Sequence, residues 1–149
     1  MLGLDFDYRN IIGFLGAGIL SFIIGMLWYG PLFGSIWLKA MGITQKDIEK
    51  AQCQSMTKYF LATVFNEVWK SWVVAVFLAY LGISETYDVI KFVLLIWSGF
   101  IATNSLNGLL WEGEKLPLYL VNVGNRLFCS LSAGLFYNFF VNWLKTQSS

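Results

Sequence analysis

The stretch Asn10–Tyr29, NIIGFLGAGILSFIIGMLWY, decides the fold: twenty residues without a charge, the length a helix needs to cross roughly 30 Å of hydrocarbon at about 1.5 Å per residue. The uncharged run continues to Leu38, but Gly30-Pro31 ends the span, because proline removes a backbone donor and restricts the residue before it. Upstream of the run there is neither a basic cluster nor a small-residue cleavage site, so the first helix is expected to stay in the mature protein.

Working outward from this span, three more apolar segments are found. The second, 59–82, is interrupted by Glu67 and Lys70; the third, 90–111, is uncharged from Phe92 onward; the fourth, 116–142, carries only Arg126. Short connections between the later spans force neighbours to run antiparallel. The sequence therefore predicts an all-α membrane protein: four transmembrane helices in an antiparallel bundle forming one domain over 1–149, plus a short interfacial helix. That extra helix falls in the charged, glutamine-rich segment 43–58, where Thr44 and Asp47 have the spacing of a capping box.

Composition agrees. Of 149 residues, 57% are hydrophobic, 18% aromatic and 13% charged, where an average soluble domain has about a quarter charged, and mean hydropathy is +0.62. A disordered chain and an ordinary soluble globule are excluded. A net charge of +1 offers no field to attract nucleic acid or acidic substrates. The chain has no histidine, so a Ser-His-Asp triad and a catalytic zinc site are absent; no catalytic residue, metal site or cofactor motif is assigned. Cys53 and Cys129 lie in very different surroundings and are expected not to pair.

Lysine and arginine near the span ends set the orientation. One side carries Lys39, Lys46, Lys50, Lys58 and Lys115, the other Arg9, Lys91 and Lys145. The five-to-three bias places the first side in the cytoplasm and both termini outside, in a plasma or inner membrane.

Gly13, Ala17, Ser21 and Gly25 recur every fourth residue on the first helix, with Gly18 beside them. Such a stripe lets helix backbones approach closely, either within the chain or between subunits. Charges within the spans are costly, on the order of 3 kcal/mol each at the bilayer centre by insertion scales, and are expected to be paired. Glu67 lies eight residues into the second span and Arg126 ten into the fourth, and both spans start on the same side, so these two are the expected partners, with Lys70 the alternative counter-charge for Glu67. The same level collects Asn66 and Lys70, then Thr103, Asn104 and Asn107, then Asn122 and Asn125. Two readings fit this cluster: a buried polar network that holds the bundle in register, or a solvated cavity that binds or passes a small polar solute. Trp28, Tyr29 and Trp37 read as interfacial anchors, and Trp69 and Trp72 as core packing.

The segment Gly25-Met26-Leu27-Trp28-Tyr29-Gly30-Pro31-Leu32-Phe33-Gly34-Ser35-Ile36-Trp37, with Gly99–Asn104, Trp111–Lys115, Leu118–Arg126 and Gly134, resembles the signature of a family of small bacterial and fungal membrane proteins known as domain of unknown function 1761. The resemblance covers nearly the whole chain and implies a four-span fold, without a family activity to carry over. The acidic loop Glu112-Gly113-Glu114 departs from it.

These features lead first to a non-enzymatic transporter or channel for a small solute or ion, built as a homo-oligomer in contact with membrane lipids and using the polar cluster. The alternative is an accessory subunit that docks to a larger membrane complex through the small-residue stripe. A membrane enzyme using Glu67 as acid or base ranks behind both.

Overall fold

In the computed structural model, which describes residues 7–52 and 55–147, the secondary structure is helical throughout. The helices are α1 (Tyr8–Leu27), α2 (Gly34–Met41), α3 (Gln45–Gln52), α4 (Thr57–Tyr80), α5 (Thr86–Ile96), α6 (Thr103–Trp111) and α7 (Leu116–Gln147). Two π-helical turns, Trp28–Leu32 and Trp97–Ala102, extend α1 and join α5 to α6. Four segments are long and apolar enough to span a membrane: Tyr8–Leu32, Thr57–Tyr80, Thr86–Trp111 and Leu116–Gln147.

The first, third and fourth spans run beyond the apolar runs that announced them, while the second, Thr57–Tyr80, is shifted two residues toward the N-terminus of the expected 59–82. The third starts at Thr86 because Glu85 and Asp88 suit a helix N-terminus and Asp88 bonds Lys91 at 3.0 Å. The fourth continues to Gln147 because neither glycine nor proline comes after Trp143 to stop it.

Helix α7 is the hub, packed on α1, α4, α5, α6 and α2. Contacts between α1 and α7 run in opposite order along the two chains: Gly13 lies by Tyr137 and Val141, Ser21 Oγ donates to the Cys129 carbonyl at 3.1 Å, and the Trp28 indole donates to the Val121 carbonyl at 3.0 Å. Opposite order also holds for α1 and α4, where Gly18 meets Val68 and Phe22 meets Phe60. It holds again between the third span and α7, where Val89 and Val93 lie by Gly134 and the Trp97 indole donates to the Val123 carbonyl at 3.0 Å.

The centre is made of small and branched residues: Ala17, Ala75, Ala133, Val89, Val93 and Leu78, with Tyr137 and Val141. Large apolar residues point outward instead, among them Ile19, Ile23, Leu61, Phe65, Leu95, Phe100 and Phe139. Lipid tails solvate these as well as a core would, so the helices associate through close contact of small side chains. Gly13, Ala17, Gly18 and Ser21 are buried in these contacts. Gly25, the last residue of the expected stripe, is not: a side chain there would meet nothing within 4 Å. Beyond Ser21 the chain heads for its kink at Gly30 and Pro31, and the gap to α7 is filled by the ring of Trp28, which lies against Gly124 and Phe128. Trp28 thus packs on α7 at the end of the first span. Trp69 departs from expectation too: it is exposed on the outer face, stacked between Phe65 and Trp72.

The short helix α3 has the expected cap. Thr44 donates to Asp47 Oδ2 from its backbone N–H at 2.9 Å and from its hydroxyl at 2.6 Å, and the Asp47 N–H returns a bond to Thr44 Oγ1 at 3.4 Å. The hydroxyl bond first, then the backbone bond, holds the Asp47 carboxyl below its ordinary value of 3.8. A depressed value in the folded state stabilises the cap above that ordinary value, and the stabilisation is lost as pH falls through the folded one. Amide exchange in α3 is therefore expected to accelerate, beyond the intrinsic pH trend, on acidification below pH 3.8. Asp47→Ala should already show the faster exchange at neutral pH; an unchanged profile in both experiments would contradict the cap. Cys53 lies outside the described residues; Cys129 is buried with a free thiol.

Candidate functional site

The local sequence of the third span positions the site. Where α5 passes into α6, the turn Trp97–Ala102 carries extra residues per turn, which shifts the helical phase of α6 relative to α5, about 100° for each residue gained. The Thr103 hydroxyl donates to the Gly99 carbonyl at 2.6 Å and the Tyr119 hydroxyl to the Ala102 carbonyl at 3.3 Å, partners for backbone groups that a regular helix would pair internally. The shifted phase brings Asn104, Ser105, Asn107 and Gly108 of α6 to the first turns of α7.

A cleft of about 340 Å³ lies there, lined by Asn104, Ser105, Asn107, Glu112, Glu114, Tyr119, Asn122 and Arg126. Arg126 is ten residues from the start of α7, so the polar lining reaches about 15 Å along the helix axis, roughly half the hydrocarbon thickness. Arg126 Nη1 donates to Ser105 Oγ. Asn122 joins two elements: its Nδ2 donates to Glu114 Oε1 at 3.2 Å, and its Oδ1 accepts from the Tyr29 hydroxyl at 3.0 Å. Glu114 folds back from the turn onto α6, where a side chain at Gly108 would approach its Oε2 to 2.6 Å; only glycine lets the carboxylate lie so close to the helix.

A second polar centre sits deeper, between α4, α1 and α7. Lys70 Nζ lies 2.6 Å from Glu67 Oε1, with the Glu67 side chain only 12% exposed. This is the counter-ion of Glu67, and the expected Glu67–Arg126 pair does not form. Positions three apart on one helix meet without any demand on interhelix geometry, whereas Arg126 is turned away toward α6. Beside the pair is a void of about 10 Å³ bordered by Ser21, Ser71, Cys129 and Ser130, close to the space one water requires. The Ser71 hydroxyl and Asn125 Nδ2 are buried without a protein partner.

The expected cluster is thus divided. Asn104, Asn107, Asn122 and Arg126 share the cleft; Glu67 and Lys70 form their own centre. Asn125 is one residue from Arg126 but about 100° around the helix, so it faces inward, where its Oδ1 accepts from the Cys129 thiol at 3.8 Å. Asn66 and Thr103 are exposed and line neither. Glu114, which the sequence reads as part of a solvated hairpin with a gate or a metal contact as the lesser alternative, and Tyr119, which it does not single out, both line the cleft. Their signal was only their place flanking a tight turn between two polar helix ends. Among the described residues no group of three or more Cys, Asp or Glu side chains is placed to hold a metal ion.

At the other end of α7 a cleft of about 430 Å³ is lined by Asn10, Ser84, Tyr137, Asn138, Asn142 and Lys145, together with apolar residues of α4. The Tyr137 hydroxyl donates to Asn10 Oδ1 at 2.9 Å, and Asn142 Nδ2 donates to the Ser84 carbonyl at 3.1 Å and to Asn138 Oδ1 at 3.3 Å.

Four helices long and apolar enough to span a membrane, with clefts at both ends of the last, define a polytopic helical membrane protein. A protein-family model described as "Protein of unknown function (DUF1761)" matches residues 12–138, and the chain belongs to that family. No curated protein and no solved structure matches it.

Proposed function

We propose that the protein passes a small polar solute across the membrane, with the α6–α7 cleft as its vestibule. The observation that carries this reading is the pair of clefts at opposite ends of α7, the α6–α7 one mostly polar and the other of mixed lining, separated by the tight seam of Ala17, Ala75, Ala133, Val89 and Val93. A chain needed only as a membrane anchor would gain nothing from a polar hollow reaching about 15 Å along α7, since each polar group turned toward hydrocarbon carries a desolvation cost. The charge bias of the connections puts the α6–α7 cleft on the cytoplasmic side. Four helices enclose no wide path, so the working unit is an assembly of two or more copies.

The accessory-subunit reading is less well supported, because its docking stripe is occupied: Gly13 and Ser21 pack on α7, and Gly18 on α4. The residues nearest to acid-base chemistry, Glu67 and Lys70, neutralise each other beside a void of only about 10 Å³, so the reading is non-enzymatic.

Stopped-flow light scattering of proteoliposomes against glycerol, glycine, acetate and methylammonium tests the proposal. Swelling faster than in protein-free vesicles is expected for at least one solute, and Arg126→Met should remove most of it. Rates equal to protein-free vesicles for all four would overturn the reading.

A further inference from the structure

The α6–α7 cleft holds the guanidinium of Arg126 and, nearer its mouth, two carboxylates, the exposed Glu112 and the half-buried Glu114. Asn122 and Arg126 lie four residues apart on one face of α7, about 6 Å along its axis. Glu114 is tied to Asn122 and lies against Gly108. Arg126 is turned to Ser105, and among the described residues no ion pair joins it to a carboxylate. Arg126 and Glu114 are therefore each held by neutral groups, in a hollow large enough for a small molecule.

Opposite charges kept apart in one cleft are completed by a molecule that carries both. A carboxylate accepts two parallel N–H bonds from a guanidinium, and a primary ammonium donates three bonds, which Glu114 and the Oδ1 atoms of Asn104 and Asn107 can accept. A solute bearing only one charge leaves the other protein group unmatched within the cleft, where a matched charge gains more than in open water. We infer that the solute class is a small zwitterion with its charges a few bonds apart, an α- or β-amino acid. This rests on reading the cleft as the solute site.

Calorimetric titration of the detergent-solubilised full chain with glycine, acetate, methylammonium and glycine betaine tests the assignment. Glycine is expected to bind at least about tenfold more tightly than acetate or methylammonium, since each lacks one charged hydrogen-bonding partner. Glycine betaine, whose quaternary nitrogen donates no hydrogen bond, should be weaker than glycine. Glu114→Gln should cut glycine affinity about tenfold while leaving acetate binding unchanged. Asn104→Ala, at an exposed position where folding is not at stake, should weaken glycine and methylammonium and leave acetate unchanged. Acetate or glycine betaine binding as tightly as glycine would overturn the zwitterion assignment, as would no binding of any of the four. The two readings fail separately: swelling with glycerol but no glycine binding overturns this inference and leaves transport standing, whereas tight glycine binding without any flux does the reverse.

Discussion

Gly18→Leu will keep α1 and α4 from closing. A side chain at residue 18 would approach Val68 Cα to 2.6 Å, so the obstruction is backbone, which a change of rotamer cannot relieve. Overpacking typically costs about 1–3 kcal/mol, and a clash with backbone belongs at the upper end, corresponding to a drop in melting temperature of roughly 10 °C. Gly25→Leu is the matched control. It sits seven residues on along the same helix, with nothing within 4 Å of the added side chain, and its melting temperature is expected to stay near wild type. Tryptophan-fluorescence melts in mild detergent check both; equal melting temperatures for the two variants would refute the close packing of α1 on α4.

The second large effect lies at Glu67 and Lys70. Lys70→Met leaves a carboxylate in the membrane without its counter-ion; breaking a fully buried pair costs about 3–5 kcal/mol, and with the Lys70 side chain 43% exposed the loss is expected at or below the low end of that range. Replacing both groups, Glu67→Gln with Lys70→Met, should recover most of that loss, because the desolvation cost of the charges goes with them. Glu67→Gln combined with Arg126→Met should give only the sum of the single effects, since no bond joins those two side chains. Unfolding titrations in denaturing detergent measure both cycles. Strong coupling between Glu67 and Arg126, with none between Glu67 and Lys70, would contradict the observed pairing.

The helices were legible because the bilayer imposes a simple requirement, apolar runs of about twenty residues, and because small residues at every fourth position mark where backbones touch. Gly13, Ala17 and Ser21 obeyed that rule; Gly25 broke it because the path of the chain beyond it is set by Gly30 and Pro31. Depth along a helix was legible as well, since it is a count of residues, and it gathered Asn104, Asn107, Asn122 and Arg126 correctly. Direction around a helix was not. The π-helical turn at Trp97–Ala102 rotates α6 against its own sequence period and is stabilised by groups on other turns, notably the Tyr119 hydroxyl. Matching depth favoured Arg126 as the partner of Glu67, while the local spacing to Lys70, present in the same sequence, won. Glu114 could not be placed from sequence, because its position depends on a turn folding back onto Gly108.

The central claim is that solute passes through the α6–α7 cleft. Its most direct measurement is the flux of proteoliposomes containing Asn107→Cys, which places a thiol in the cleft lining, before and after reaction with a bulky thiol reagent, in a Cys53→Ser background. Phe139→Cys, on the outward face at 70% exposure, is the comparison. Modification of Asn107→Cys is expected to bring swelling down to the protein-free rate while modification of Phe139→Cys leaves it unchanged. Full flux through a protein whose Asn107→Cys thiol is shown by mass to be fully modified would contradict the account.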